Sequence, residues 1–173
     1  MSMLSVDMAS VHAMLDDMGD RAEEAARPAA QAASQVLYDE VKRNVAAIPR
    51  KTGRLDQAIY QVFSANNSGE GRATYHVSWN VRKAPHGHLV EFGHVQRYVS
   101  YIGKDGNWYT AKRPGVAGAR KPGRGASQAA KDAYFLPLAT PKQVRAEAFV
   151  RRAQVKFSAA AQAAADVLVR WIQ

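Results

Sequence analysis

The chain has no cysteine among its 173 residues. Disulfides and thiolate metal sites are therefore excluded, and the absence fits a protein made and assembled in a reducing compartment. Nowhere does an uninterrupted apolar run approach the roughly 18 residues that a membrane-spanning helix needs. The opening MSMLSVDMASVHAMLDDMGD lacks a basic stretch and a continuous apolar core, so no signal peptide is expected there. The reading is a soluble protein of one domain, long enough to bury a real core.

Acids are scarce in one place. Between His94 and Lys131 eight lysines and arginines stand against Asp105 alone, a balance of +7 out of the formal +9. Such asymmetry points to a basic arm that meets a polyanion or an acidic protein surface, or to a loop whose charge only keeps it solvated.

Elsewhere, periodicity organises the chain. Met8, Val11, Leu15, Met18, Ala22 and Ala25 recur in steps of three and four, an amphipathic helix. Pro28 interrupts the pattern before Leu37, Val41, Val45 and Ile48 resume it, so two helices or one helix through the proline are both open. Pro49 ends the helical pattern. After the Thr52-Gly53 turn, IYQVF is extended. Tyr75, Val77, Trp79 and Val81 then alternate with Thr74, His76, Ser78 and Asn80, a half-buried strand with His76 on its polar face. YVSYI and WYTA flank Gly103–Asn107 as a hairpin. The following stretch, RPGVAGARKPGRGASQAAKD, is too poor in apolar surface to offset ordering entropy and is expected to be a mobile loop in the isolated protein. Thr140 and Pro141 suggest an N-cap and first helical residue. From there Phe149, Ala153, Phe157, Ala160, Ala164, Leu168 and Trp171 predict a helix on the order of 45 Å long. The expected class is α+β: N-terminal helices, a small mainly antiparallel sheet, an extended basic hairpin and loop, and a long C-terminal helix.

His86, His88, Glu91 and His94 are the residues that could carry chemistry. Imidazole and carboxylate suit zinc, but only His88 and Glu91 share a helical face, and Gly93 breaks the helix before His94. No established zinc spacing is matched, and no nucleophile, phosphate loop or second carboxylate accompanies the cluster. The structural reading has Leu89, Val90 and Phe92 anchoring a core segment, Gly93 giving a sharp exit, and Glu91 hydrogen-bonding or ion-pairing near that core, within the chain or across a subunit boundary.

Three motifs in order carry a resemblance. Thr52, Gly53 and Leu55 lead into a strand; His88, Leu89, Val90, Glu91, Phe92 and Gly93 form HLVEFG; Phe135, Leu136 and Ala139 precede the terminal helix. Over about residues 30 to 172 this resembles the tail-component family of long-tailed phages, the gene-product-ten-like neck proteins related in role to minor tail protein Z. The chain departs from the family pattern at His94, where threonine is usual, and at Tyr134, where proline is common. The insertion from about Tyr98 to Lys131 exceeds the family minimum.

The resemblance implies one tail-completion or neck domain over residues 1–173, with 94–133 a basic hairpin and loop insertion. It implies a structural virion protein, assembled in the host cytoplasm, that forms a homo-oligomeric, hexameric ring and joins the tail to the head connector. Head-connector and tail-tube proteins would be its partners, with non-specific contact to genomic DNA in the channel; no catalytic residue, cofactor, metal or membrane is implied. Arg97, Tyr98, Tyr101, Lys104, Trp108, Tyr109, Lys112, Arg113, Arg120, Lys121 and Arg124 are the candidate interface or DNA-facing residues. Tyrosine, tryptophan and arginine are common interface anchors, so docking is preferred to direct DNA contact. Two alternatives stay open: a nucleic-acid-binding protein using the 94–131 loop, and a metal-dependent hydrolase at His86, His88, Glu91 and His94.

Overall fold

In the computed structural model, residues 8–49, 53–69 and 71–173 are described. Thr52 of the first motif lies outside them. The two apolar runs before Pro49 are one helix, α1 (Met8–Ala46), about 58 Å long. It passes through Pro28, because Ala25 and Ala29 on either side are buried and their packing holds the helix across the missing hydrogen bond. Val41 and Val45 enter the core from its last turns. At the other end residues 8–17 are all exposed, including the seam residues Met8, Val11 and Leu15.

α2 (Arg54–Ala58) starts after Gly53, whose φ of 70° is a left-handed conformation that favours glycine. Leu55, Ala58 and Ile59 are buried, and the chain passes directly into β1 (Ile59–Phe63). β1 pairs antiparallel with β2 (Tyr75–Trp79), from Ile59 opposite Trp79 to Phe63 opposite Tyr75. The strand ends sooner than its alternation suggests. Asn80 Oδ1 accepts hydrogen bonds from the backbone N–H of Arg82 and Lys83, a turn that leaves Val81 60% exposed.

α3 (Gly87–Phe92) follows, then β3 (His94–Tyr98), β4 (Ser100–Ile102), β5 (Trp108–Thr110), α4 (Gln128–Tyr134), β6 (Pro137–Val144) and α5 (Phe157–Ile172), the last preceded by a 3₁₀ segment, Arg151–Lys156. β3 pairs antiparallel with β6, and β4 with β5, so the described strands form three separate two-stranded antiparallel pairs. Helices and small antiparallel sheets without βαβ alternation make the class α+β.

Two expectations for the C-terminal third are corrected. Thr140 and Pro141 are in strand β6, not at a helix start, because residues 137–144 find hydrogen-bond partners on β3, some 45 residues earlier. The terminal helix begins at Phe157 and is about 24 Å long. The basic loop is also shorter than expected. Residues 128–134 are helical, with Ser127 Oγ accepting from Ala130 N as an N-cap.

The core lies where the end of α1, α2, β1 and the segment around Phe149 meet: Val41, Val45, Leu55, Ala58, Ile59, Ala84, Phe149 and Ala153, flanked by Trp79 and Val90. Phe149 is fully buried and meets the Trp79 ring edge-on at 5.5 Å. α5 packs along α1 through Ala160, and small residues there permit close approach.

Candidate assembly surfaces

The HLVEFG turn is a clasp. Only six residues long, α3 presents Val90 to the core and buries Glu91 to 2% exposure. Its carboxylate accepts three hydrogen bonds: Oε2 from Val150 N at 2.9 Å, Oε1 from Arg151 N at 3.2 Å and from Arg151 Nε at 3.1 Å. Arg151 Nη2 also donates to the Glu91 carbonyl, 2.9 Å away. Ala148, at φ 48°, turns the chain so that Phe149 enters the core and the next two N–H groups face this carboxylate. Glu91 thus pins the entry to the C-terminal region onto the turn, and its ion-pair partner is in its own chain. Gly93 (φ 73°) makes the exit. A Cβ there would lie 2.7 Å from the Val144 carbonyl oxygen, so β6 can pass close beside it.

Phe92 departs from expectation. It is 63% exposed, with the Arg151 guanidinium 5.0 Å from its ring centroid, and is not a core anchor. With Glu91 and Val90 turned inward, a helix of this length has no inward position left for it. Leu89 is half-buried and His88 exposed.

The four candidate zinc-binding residues are not brought together. Both Glu91 oxygens are occupied by Val150 and Arg151, and His88 points to solvent. His86 caps α3, where burial, Arg54 and His88 in that order lower its pKa below 6.5. His94 lies in β3 opposite Val144, its Nδ1 buried without a hydrogen-bond partner. Among the described residues no three His, Asp or Glu side chains converge on one point.

Beyond Gly93 the arm divides into two parts. The outer part is the β4–β5 hairpin, where Tyr101 pairs with Tyr109 and Ile102 with Trp108. Opposite residues share a face, so one face carries the two tyrosine rings, 5.8 Å apart, and the other carries Ile102 and Trp108. All four are 44–52% exposed. Asp105 holds the turn: it accepts hydrogen bonds from the Tyr109 hydroxyl at 2.7 Å and from Asn107, side chain and backbone. These bonds, Tyr109's first, lower its pKa to about 2. Lys104 is exposed at the tip.

The inner part is a polar root. The Tyr98 hydroxyl donates to Asp132 Oδ1 at 2.7 Å and accepts from Gln128 Nε2 at 2.7 Å, while Arg113 Nε donates to the Asp132 carbonyl at 2.8 Å. Partial burial and then the bond to Asp132 raise the Tyr98 pKa; the bonds from Tyr98 and then Gln128 lower that of Asp132. Phe135 packs on Tyr98 with centroids 5.3 Å apart and bridges to Lys112, whose Nζ lies 5.7 Å above the Tyr134 ring. Tyr98, Lys112 and Arg113 therefore fasten the arm. Leu136 contributes backbone hydrogen bonds to Val99 and Ala111, and Ala139 is exposed on β6. Arg97, Arg120, Lys121 and Arg124 are exposed, and the Arg124 carbonyl accepts from Lys131 Nζ.

The sequence reading missed α4, whose Ser127 cap was its available signal, and it missed Arg151 as Glu91's partner, which no local signal marks. Among the described residues no helix is long and apolar enough to cross a membrane. Residues 9–93 match the family described as "Bacteriophage HK97-gp10, putative tail-component". The match takes in Leu55 and the HLVEFG clasp and stops at Gly93, where the arm begins; Phe135, Leu136 and Ala139 lie beyond it. No curated protein and no solved structure matches the chain. Over residues 9–93, a little under half of its length, the chain is similar to the HK97-gp10-like family of bacteriophage tail components.

Proposed function

We propose that the chain is a ring-forming subunit of the phage neck, completing the tail and joining it to the head connector, with residues 94–133 as its docking arm. The exposed area carries this reading. A monomeric protein of 18.9 kDa exposes about 8,300 Å², whereas this chain exposes 12426 Å². The excess is well above the ~800 Å² that a standard interface takes from each partner. The surplus suits a subunit with a neighbour on either side and a further axial contact.

The chemistry agrees. The Glu91 cluster is committed to holding the fold, and the exposed aromatics lie on a hairpin of a kind only marginally stable alone in water. Imaging of intact virions tests the proposal: density for this chain should form a closed ring at the head–tail junction, and phage lacking it should yield filled heads without joined tails. Infectious, fully tailed particles lacking the chain would refute it.

A second reading, non-specific DNA binding, has Arg120, Lys121 and Arg124 in its favour, exposed on a segment without an acid. It requires duplex affinity that falls with salt by nearly one logarithmic unit per logarithm of concentration for each neutralised phosphate. Salt-independent or absent binding to bare duplex removes it.

A further inference from the structure

We propose that residues 114–126 are a phosphate-contacting loop: Arg120, Lys121 and Arg124 bear on the sugar-phosphate backbone of duplex DNA, while the β4–β5 hairpin of the same arm docks on protein. The inference rests on the ring-subunit reading and makes DNA contact one part of that role, not a substitute for it.

The loop is held closed at its root. Arg113 N donates to the Tyr134 carbonyl at 3.0 Å, and Lys131 Nζ donates to the Arg124 carbonyl at 2.8 Å. Between these ties, Ala119 N returns to the Val116 carbonyl and Ala126 N to the Gly123 carbonyl, closing two tight turns. Gly118, at φ 83°, takes the left-handed third position of the first turn. Arg120 and Lys121 follow it directly, Arg124 is the second residue of the other turn, and all three are exposed. Because the root is fastened, these cations are displayed from a set place on the arm and not from a free tail.

Their side chains differ from the cations that hold the fold. Lys42 and Arg151 pair with Asp56 and Glu91, Lys112 lies over Tyr134, and Arg113 holds the Asp132 carbonyl. Arg120, Lys121 and Arg124 have no carboxylate partner among the described residues, and no acid occurs from Gly106 through Lys131.

What the loop lacks selects its partner. Protein interfaces are organised round buried apolar or aromatic anchors, with charge left to a solvated rim. Residues 114–126 have no aromatic side chain, and apart from two prolines no apolar side chain larger than Val116. Against an acidic protein surface the three cations would form only exposed ion pairs, the weakest kind. A phosphate backbone needs no apolar anchor: cations displace its condensed counterions, and that release supplies the affinity. The guanidinium forks of Arg120 and Arg124 match phosphate oxygens two at a time, and the glycines between the cations let the backbone approach closely.

Fluorescence anisotropy of the full-length chain with labelled duplex, followed against salt, tests the assignment. Three neutralised phosphates contribute about 2.7 to the slope of log affinity against log salt, roughly a 40-fold loss between about 50 and 200 mM. Arg120→Ala, Lys121→Ala and Arg124→Ala together should lower the wild-type slope by about that amount, equally on duplexes of unrelated sequence. Arg82→Ala, Lys83→Ala and Arg152→Ala remove the same charge at exposed positions outside the arm, and should leave the slope within about one of wild type. Particles assembled with the loop variant should contain the chain at the wild-type level. An unchanged slope in the loop variant, or an equal fall in the charge-matched control, overturns the DNA assignment. So does loss of the loop variant from particles, since the loop would then be docking on protein. Absence of the wild-type chain from particles overturns the ring-subunit reading instead, and the salt slope still decides the loop's ligand.

Discussion

Removing the Glu91 carboxylate isolates the clasp that joins the family-matched part of the chain to the C-terminal region. In Glu91→Ala the backbone N–H groups of Val150 and Arg151 lose their acceptor in a site where Glu91 is 2% exposed. Hydrogen bonds to a charged group contribute about 1.5–3 kcal/mol each. The Arg151 side chain is 52% exposed and rehydrates, so the ion-pair part adds no more than ~1 kcal/mol. The sum is about 4 kcal/mol, a large share of the ~5–15 kcal/mol of a typical domain. Glu91→Gln keeps one oxygen but turns an NH₂ toward a donor, and should cost about 2 kcal/mol. Arg151→Ala leaves the two backbone bonds intact and should cost only ~1 kcal/mol. Urea unfolding followed by circular dichroism measures all three from shifts in midpoint at constant slope. The reasoning fails if Arg151→Ala costs as much as Glu91→Ala, because the ion pair rather than the backbone clasp would then hold the region. It fails equally if Glu91→Ala stays within ~1 kcal/mol of wild type.

Gly93→Ala should destabilise by at least ~2 kcal/mol, since its Cβ would meet the backbone of Val144 and Ala146 at 2.7 and 2.8 Å, where neither side can yield. Gly87→Ala should cost about 1–3 kcal/mol by displacing the Trp79 indole, visible as a shift in tryptophan emission; an unchanged spectrum and midpoint would contradict this. The Tyr98–Asp132 root should protect the amides of the arm most strongly at intermediate pH. Tyr98 has a raised pKa, so its contribution is complete below 10.0 and lost as pH rises through the higher folded value; Asp132 has a lowered one, so its contribution is complete above 3.8 and lost as pH falls through the lower folded value. Tyr98→Phe should move the Asp132 carboxyl titration, followed by NMR, back toward 3.8. His86 should titrate below 6.5, favouring the fold above that pH and withdrawing support as pH falls; a midpoint above 6.5 would contradict its burial beside Arg54.

The parts of this fold legible in the sequence are those whose pattern closes on itself locally. Residues 37–48 and 157–172 show helical periodicity, and 75–79 alternate; the structure has helix or strand at each, ending where Pro49 or Asn80 removes or captures backbone hydrogen bonds. β6 was not legible. Its Thr-Pro pair has the chemistry of a helix cap, and the strand β3 that overrides it is distant in sequence. Glu91 bonds near the core as expected, but its partners, and with them the exposure of Phe92, were not legible for the same reason. A buried glutamate is stable only beside donors, and those donors lie 59 and 60 residues further on.

A different limit applies to Met8, Val11 and Leu15. The periodicity identified their face correctly, and yet the described chain leaves that face in water. Hydrophobic spacing reports that a surface is to be covered and carries no information about which molecule covers it. The same holds for Tyr101, Trp108 and Tyr109, whose side chains occupy both faces of a hairpin too thin to bury either. In a self-sufficient domain these residues would be a fault, costing solubility and gaining no stability. In a chain that exposes well over the area expected of a monomer of its mass, they are legible as surfaces that a partner covers.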